Sequence, residues 1–251
     1  MSVERIALVT GANQGVGLEV ATKLAANGVT VYVGSRDLAR GQAAAAAIPM
    51  GATAIQLDVT DLTSIAAAAE RIRAEHGRLD LLVSNAGISN TRTGSATPEE
   101  MAASSTASTA SLEEVRAIWD VNVFGVLAVY QAMLPLLRLS SDARIVNVSS
   151  GVGSLASNAD PSFPYRTMYG PGYAASKTAE NAMTLAMMIE LEKTDIKINL
   201  VSPGFTSTAL NNFAGTESIE DGSREVVRVA LLGPDGPSNT FTRWEDSTIP
   251  W

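Results

Sequence analysis

The sequence predicts an α/β fold: a single doubly wound parallel sheet with helices on both faces. Three observations carry that prediction. Apolar, β-branched runs of strand length alternate with longer alanine-rich stretches in which apolar residues recur every three or four positions. The strand-length runs are apolar almost throughout, as strands covered on both faces must be. Between the first run and the first helical stretch lies a glycine-rich turn, Thr10-Gly11-Ala12-Asn13-Gln14-Gly15-Val16-Gly17.

In chain order the strands fall at residues 6–10, 30–34, 54–57, 79–83, 144–148 and 197–201, and the helices at 15–27, 37–47, 62–75, 112–139 and 172–192. The alanine runs at 43–47 and 66–69 suit helices that sit close to a sheet, because alanine is the strongest helix former and adds no bulk. Gly77 reads as the residue that ends the third helix, with His76 at the negative end of the helix dipole. Two stretches are irregular: 89–111, rich in Ser, Thr and Ala, and 151–172, which holds Pro161, Pro164 and Pro171. Loops this long inside a compact domain are often lids or binding loops. Residues 241–251 read as a last strand and a packed tail in which Trp244 and Trp251 are anchors. No linker divides the chain, so residues 1–251 read as one domain.

Composition excludes several functions. The 251 residues carry 18 basic and 26 acidic side chains, a net charge of −8 that argues against nucleic-acid partners. With no cysteine and one histidine, neither a thiolate nucleophile nor a cysteine- or histidine-rich metal site is available. No Gly-x-Ser-x-Gly elbow occurs, and the glycine-rich turn lacks the lysine of a P-loop. The N-terminal residues show no basic region followed by an apolar core, and the most apolar stretch, 126–139, is broken by Gln131, Pro135 and Arg138. The expectation is a cytoplasmic protein without membrane contact.

A strand, a tight glycine turn and a helix N-terminus together make an anion site. Glycine lets the main chain approach a pyrophosphate, and the free N–H groups and dipole of the helix attract it. Gly11, Asn13, Gln14, Gly15, Val16 and Gly17 are thus candidate phosphate-binding residues of a Rossmann-type dinucleotide site. NAD-selective sites place an acid at the end of the second strand to meet the ribose 2′-OH. Here Val33-Gly34-Ser35-Arg36 offers none before Arg36. An arginine fork suits a 2′-phosphate, so the expected cofactor is NADP(H), with Arg36 as its main phosphate partner. The alternative is that Arg36 only ends the strand and pairs with Asp37.

The segment Gly172-Tyr173-Ala174-Ala175-Ser176-Lys177 opens the last long helix. Residues four apart share a helix face, so the Tyr173 phenol and the Lys177 ammonium point the same way. A neighbouring cation lowers a tyrosine pKa from its ordinary value of about 10, which makes the phenol a usable proton donor or acceptor near neutrality.

With these motifs in this order, the chain resembles a short-chain dehydrogenase/reductase over essentially its whole length. Thr10-Gly11-x-x-x-Gly15-x-Gly17 is similar to the family's cofactor motif, Ser84-Asn85-Ala86-Gly87 to its Asn-Asn-Ala-Gly, and Tyr173-x-x-x-Lys177 to its catalytic pair. The long segment before Tyr173 resembles the carbonyl-reductase-like branch. The resemblance implies that Ser150, in Val146-Asn147-Val148-Ser149-Ser150, is the catalytic serine, and that Asn122 is the family's helix-four asparagine. It also implies that Asp58 lies beside the adenine with Val59 next to it, that Asn85, Ala86 and Gly87 border the cofactor, that Pro203-Gly204 turns under the nicotinamide, and that Thr208 meets the carboxamide or pyrophosphate.

The implied reaction is NADPH-dependent reduction of a small-molecule ketone or aldehyde. Tyr173 gives a proton to the carbonyl oxygen, Ser150 holds that oxygen, and Lys177 grips the nicotinamide ribose and acidifies Tyr173. Asn122 helps hold a water that links Lys177 to solvent. The hydride chemistry is the cofactor's own. Ser84 departs from the family's first asparagine. Gln14 stands where many NADP-preferring relatives carry a basic residue, so the preference for NADP(H) rests on Arg36. Phe163, Tyr165, Met168 and Tyr169 are expected either to roof the substrate pocket or to pack the loop onto its own helix. Two other readings stay open, an NAD-linked alcohol dehydrogenase of the same family and a regulator that senses NADP(H) without turnover. Monomer and homo-oligomer are both open too, because such an insertion can cover a helix face otherwise used for assembly.

Overall fold

The computed structural model describes residues 5–91 and 106–251. Its strands are β1 (Ile6–Val9), β2 (Thr30–Ser35), β3 (Thr53–Gln56), β4 (Leu81–Ser84), β5 (Arg144–Val148), β6 (Lys197–Val201), β7 (Thr240–Arg243) and β8 (Ser247–Thr248). The helices are α1 (Gly15–Ala26), α2 (Leu38–Ala46), α3 (Leu62–His76), α4 (Leu112–Trp119), α5 (Val126–Leu137), α6 (Leu155–Ala159), α7 (Tyr173–Leu191) and α8 (Ile219–Ala230). One sheet runs in the order β3-β2-β1-β4-β5-β6-β7-β8. Its order reverses between β1 and β4, and ligands of doubly wound sheets bind outside the strand ends at such a point.

Alternate strand residues serve opposite faces of the sheet. Ile6, Leu8, Tyr32 and Leu82 pack with Ile65 and Ile72 of α3, Met133 of α5 and Met187 of α7. Ala7, Val9, Val33 and Val83 pack with Val20 and Leu24 of α1 and Val226 and Val229 of α8. This two-sided burial is why the runs read as continuously apolar. β8 is an antiparallel edge on an otherwise parallel sheet. It pairs antiparallel with β7, because residues 244–246 between them can make a hairpin but not a crossover.

Three differences from the expected elements have physical causes. The single helix expected at 112–139 is interrupted by a π-helical segment, Asp120–Gly125, between α4 and α5. There Val59 presses on Gly125, where a Cβ would lie 2.8 Å from Val59 Cγ2 and 3.0 Å from Val59 O. The run Leu112–Leu137 has the length and composition to cross a membrane, but over half of its most apolar 18-residue window is buried in the fold, as in a core helix. Helix α8 had no counterpart among the expected helices. Ser218 caps it by accepting from Asp221 N at 3.0 Å, and Glu220 and Asp221 fill its first turn. In the irregular stretch 151–172 lie α6 and two short 3₁₀ turns, whereas residues 92–105 of the other irregular stretch, and residues 1–4, fall outside the described residues.

Gly77 closes α3 in the left-handed conformation, φ 73°, and His76 stands edge-on to Tyr32 with ring centroids 5.7 Å apart. In the tail, Phe241 is buried and its ring lies 6.0 Å from that of Trp251. The carbonyl of Trp251 accepts from Ala156 N at 2.9 Å and that of Pro250 from Ser154 Oγ at 2.6 Å, which ties the tail to α6. Trp244 lies under the Arg224 guanidinium, 5.9 Å from ring centroid to Cζ.

Candidate active site

The glycine-rich turn leads from β1 into α1 and is locked to the end of β4 by Asn85. Asn85 Nδ2 donates to Thr10 O at 2.9 Å and to Gly11 O at 3.3 Å, while Thr10 Oγ1 accepts from Asn85 N and Ala86 N, both at 2.9 Å. This packing explains two of the glycines. A Cβ on Gly11, which also has φ 63°, would lie 2.9 Å from Ala86 Cα, and one on Gly17 would run into Asn85 Nδ2. Gln14 precedes α1 without a side-chain cap, and no acidic residue sits in the first turn. The uncapped helix end and the main chain bared by these glycines fit a pyrophosphate group. Thr208, after β6, comes within 3.7 Å of the Cβ position of Gly15, on the same side of the sheet.

At the end of β2 the Arg36 side chain is exposed and takes part in no hydrogen bond or ion pair among the described residues. Asp37 caps α2 by accepting from Arg40 N at 3.1 Å. Arg40 Nη2 donates to Gln14 Oε1 at 2.8 Å, so a second guanidinium stands at the rim of the phosphate turn. Arg40 was not among the expected site residues. Its signal, a basic residue one turn after Arg36, acquires meaning only when β1, α1 and β2 are assembled. Asp58 Oδ1 accepts from Thr60 N at 2.9 Å and Thr60 Oγ1 at 2.7 Å in a local turn, and Val59 packs against Gly125. Asn13 lies in the turn and Val16 in the first turn of α1, both partly buried.

The second cluster forms where β5 meets α7. Lys177 Nζ donates to Val148 O at 2.8 Å and to Glu180 Oε2 at 2.7 Å, and it lies 6.0 Å from the centroid of the Tyr173 ring. The turn 151–153 packs directly on α7, since a Cβ on Gly153 would lie 2.9 Å from Lys177 Cβ, and Gly153 O accepts from Thr178 Oγ1 at 2.8 Å. Ser150 is therefore held beside the first turns of α7. Ser149, its neighbour, is turned inward and donates to Asn181 Oδ1 at 2.5 Å. The hydroxyls of Ser150 and Tyr173 have no hydrogen-bond partner among the described residues, and both residues are partly exposed. Burial works to lower the Lys177 pKa, but the Glu180 carboxylate and Tyr173 outweigh it and hold the ammonium above the ordinary lysine value. Burial likewise lifts Glu180 above the usual carboxylate range against the pull of Lys177.

Asn122 is fully buried in the π-helical segment. Its Oδ1 accepts from Ile88 N at 2.9 Å, and its Nδ2 donates to Ile88 O at 2.8 Å and Ser176 Oγ at 2.9 Å. Both amide donors are thus spent on joining the chain after β4 to α7. Gly87 stands opposite, where a Cβ would be 3.4 Å from Asn122 Oδ1 and 3.7 Å from Lys177 Nζ. The Ser84 hydroxyl is buried without a partner. Among the described residues no group of three or more His, Cys, Asp or Glu could hold a metal.

Comparison with known proteins bears on this arrangement. The short chain dehydrogenase profile matches residues 5–218. A short-chain dehydrogenase of Penicillium roqueforti is 34% identical over 250 residues, covering 96% of this chain and 93% of that protein. The chain belongs to the short-chain dehydrogenase family. Among solved structures, salutaridine reductase from Papaver somniferum matches with a TM-score of 0.79 at 28% identity, covering 95% of this chain and 99% of that one. NADPH-bound carbonyl reductase from chicken fatty liver matches with a TM-score of 0.78 at 25% identity, covering 99% of each chain.

In this short-chain dehydrogenase the segment after β6 and the insertion before α7 meet. Gly204 has φ 77° and faces the Glu217 carboxylate, while Pro203 O accepts from Thr206 Oγ1 at 2.9 Å. Ser89 Oγ donates to Leu210 O, drawing the loop after β4 toward this segment. Of the four bulky residues before α7, Tyr165 reaches across to Phe205, ring centroids 6.2 Å apart, and stacks edge-on with Phe163 at 5.8 Å. Tyr169 instead shares a hydrogen bond of 3.0 Å with Thr178 Oγ1 on α7. Phe163 and Tyr169 also line an outer groove of about 530 Å³ with Leu155, Pro161 and Arg166. Tyr169 thus packs the loop onto its own helix, Tyr165 lies against the segment after β6, and Met168 is exposed.

Proposed function

We propose that this protein reduces a ketone or aldehyde with NADPH. The observation that carries the reading is the Lys177 ammonium, buried below the Tyr173 ring while the Tyr173 hydroxyl has no partner among the described residues. A phenol so placed can give its proton to a carbonyl oxygen, because the cation beneath it stabilises the negative charge left behind. The Ser150 hydroxyl, without a partner among the described residues, can donate to the same oxygen as charge develops on it. Lys177 has three N–H donors and spends two inside the protein, so one is left for a ribose hydroxyl. Asn122 positions Ile88 and α7 around that point. The residues that would hold the cofactor are Gly11, Asn13, Gln14, Gly15, Val16 and Gly17 at the pyrophosphate, Asp58 and Val59 at the adenine, and Asn85, Ala86, Gly87, Pro203, Gly204 and Thr208 along the remaining length. Bound there, a nicotinamide dinucleotide supplies the hydride.

The preference for NADP(H) rests on the exposed Arg36, unpaired among the described residues, and on Arg40 beside Gln14, two guanidiniums where an NAD site would carry an acid. NADPH-bound carbonyl reductase among the structural neighbours supports the same reading. The test is oxidation of NADPH and NADH, side by side, over a panel of ketones and aldehydes. Turnover with NADPH that Tyr173→Phe abolishes is expected. A Tyr173→Phe variant that reduces carbonyls as fast as the parent would overturn the assignment.

A further inference from the structure

Glu180 lies one turn beyond Lys177 on α7, and nothing in the proposed reaction requires a carboxylate there. It is 0% exposed, Oε2 accepts from Lys177 Nζ at 2.7 Å, and Oε1 is buried with no partner among the described residues. Further along the same buried face stand Thr184, Met187 and Leu191, so an apolar side chain at 180 would continue it at no desolvation cost. We propose that Glu180 is a positioning residue for the reaction: it holds the Lys177 ammonium charged inside the protein and seats it against the Val148 carbonyl, below Tyr173.

The proposal rests on the catalytic reading of Tyr173 and Lys177 and adds to it the group that keeps the lysine a cation. The surroundings of the pair leave that task to Glu180. From α7 itself the only other titratable group acting on the lysine is Tyr173. β5 and the turn after it present the Val148 carbonyl and Gly153, while the loop after β4 presents Gly87, which also faces Asn122 of the π-helical segment. All of these are neutral, so among the described residues Glu180 supplies the counter-charge. An ammonium buried among neutral groups loses its proton readily, its pKa falling by several units into the range where enzymes work.

Glu180→Gln keeps the shape and removes the charge. In cofactor-free protein the readout is the melting temperature as a function of pH. A lysine whose folded-state pKa falls below its unfolded value of about 10.4 makes stability rise with pH between the two. The gap in Tm between parent and Glu180→Gln is therefore expected to be widest near pH 7 and to narrow toward pH 10. Lost packing alone gives a gap that does not change over that window. In the active enzyme the alkaline fall of kcat/KM should come earlier in Glu180→Gln by about one pH unit or more, and Glu180→Asp should restore it. A constant Tm gap with coincident pH profiles overturns the proposal. If Glu180→Gln does not fold, the double variant Lys177→Met/Glu180→Leu decides, because removing both charges should restore a folded, inactive protein. Failure of that double variant to fold overturns the proposal as well. Tyr173→Phe separates this inference from the reading beneath it. If that variant keeps full activity the catalytic reading fails; if it is inactive while Glu180→Gln behaves as a packing change, only the role of Glu180 fails.

Discussion

Gly17→Ala adds one methyl where the phosphate turn closes over the end of β4, and its consequences can be worked out from three distances. The new Cβ would lie 2.8 Å from Gly11 O and 3.1 Å from Ala12 Cα, and it would overlap Asn85 Nδ2. Gly17 does not have a positive φ, so the strain is steric contact and not main-chain conformation. Overpacking of this kind costs about 1–3 kcal/mol. Asn85→Ala removes two side-chain hydrogen bonds, to Thr10 O and Gly11 O, each contributing about 1 kcal/mol net. Independent effects would sum to about 3–5 kcal/mol. The Asn85 amide is the nearest obstacle, however, so the double variant should recover about 1 kcal/mol or more of that sum. The remainder stays, because Gly11 O and Ala12 Cα are unmoved by Asn85→Ala. Urea unfolding of the cofactor-free proteins measures the cycle, and NADPH titration by fluorescence measures the same cycle in binding, where about 1.4 kcal/mol is tenfold in Kd. Gly17→Ala alone should weaken NADPH at least about tenfold. Additivity within about 0.5 kcal/mol in both assays would show that Gly17 is not making room for Asn85, and the argument would fail.

Arg36→Glu places a like charge where the 2′-phosphate is expected, so the ratio of kcat/KM for NADPH over NADH should fall by roughly tenfold to a hundredfold; a ratio equal to the parent's would mean Arg36 does not meet the phosphate. Arg144 is fully buried on β5 and donates to Asn199 Oδ1 at 2.8 Å and to the carbonyls of Pro237 and Gly233, both at 3.0 Å. Arg144→Met should cost roughly 2–4 kcal/mol and lower Tm by roughly 5–15 °C in calorimetry; an unchanged Tm would mean that residues 233–237 are held by other contacts. Glu75 is kept below the ordinary carboxylate range, first by the Tyr32 hydroxyl and then by Arg71. Its contribution is present above the unfolded value of about 4.3 and is lost as pH falls through the lower folded one. Glu75→Gln should thus flatten the acid side of the Tm–pH curve, with the difference shrinking in salt, and parallel curves would refute it.

Which parts of this site could be read from the sequence follows from how far apart the cooperating residues lie. Tyr173 and Lys177 declare themselves because four residues of helix fix their common face whatever the rest of the chain does. The phosphate turn does so because glycine, glycine, helix is a local arrangement following a local strand. Glu180 stands only three residues from Lys177, yet an i,i+3 Lys–Glu pair on a helix is ordinarily a solvated surface pair. Here the pair is buried, and its lysine is covered by β5 and the 151–153 turn, brought in from more than a helix length away. Arg40 is the same case: its partner Gln14 is 26 positions earlier. The π-helical segment leaves no mark in the periodicity of 112–139, since Val59 pressing on Gly125 is a contact between distant segments. Helix α8 was hidden by Gly222 and Ser223 at the positions where an apolar stripe would begin, and Gly222 is there because Thr206 occupies the space of its side chain. Chemistry that needs neighbours on one element is therefore legible before folding. The groups that tune that chemistry, a counter-charge under the lysine and a second arginine at the phosphate turn, become visible only when separate elements are packed. A sequence reading of a fold of this kind should accordingly be expected to find its proton donor sooner than what keeps that donor's partner charged.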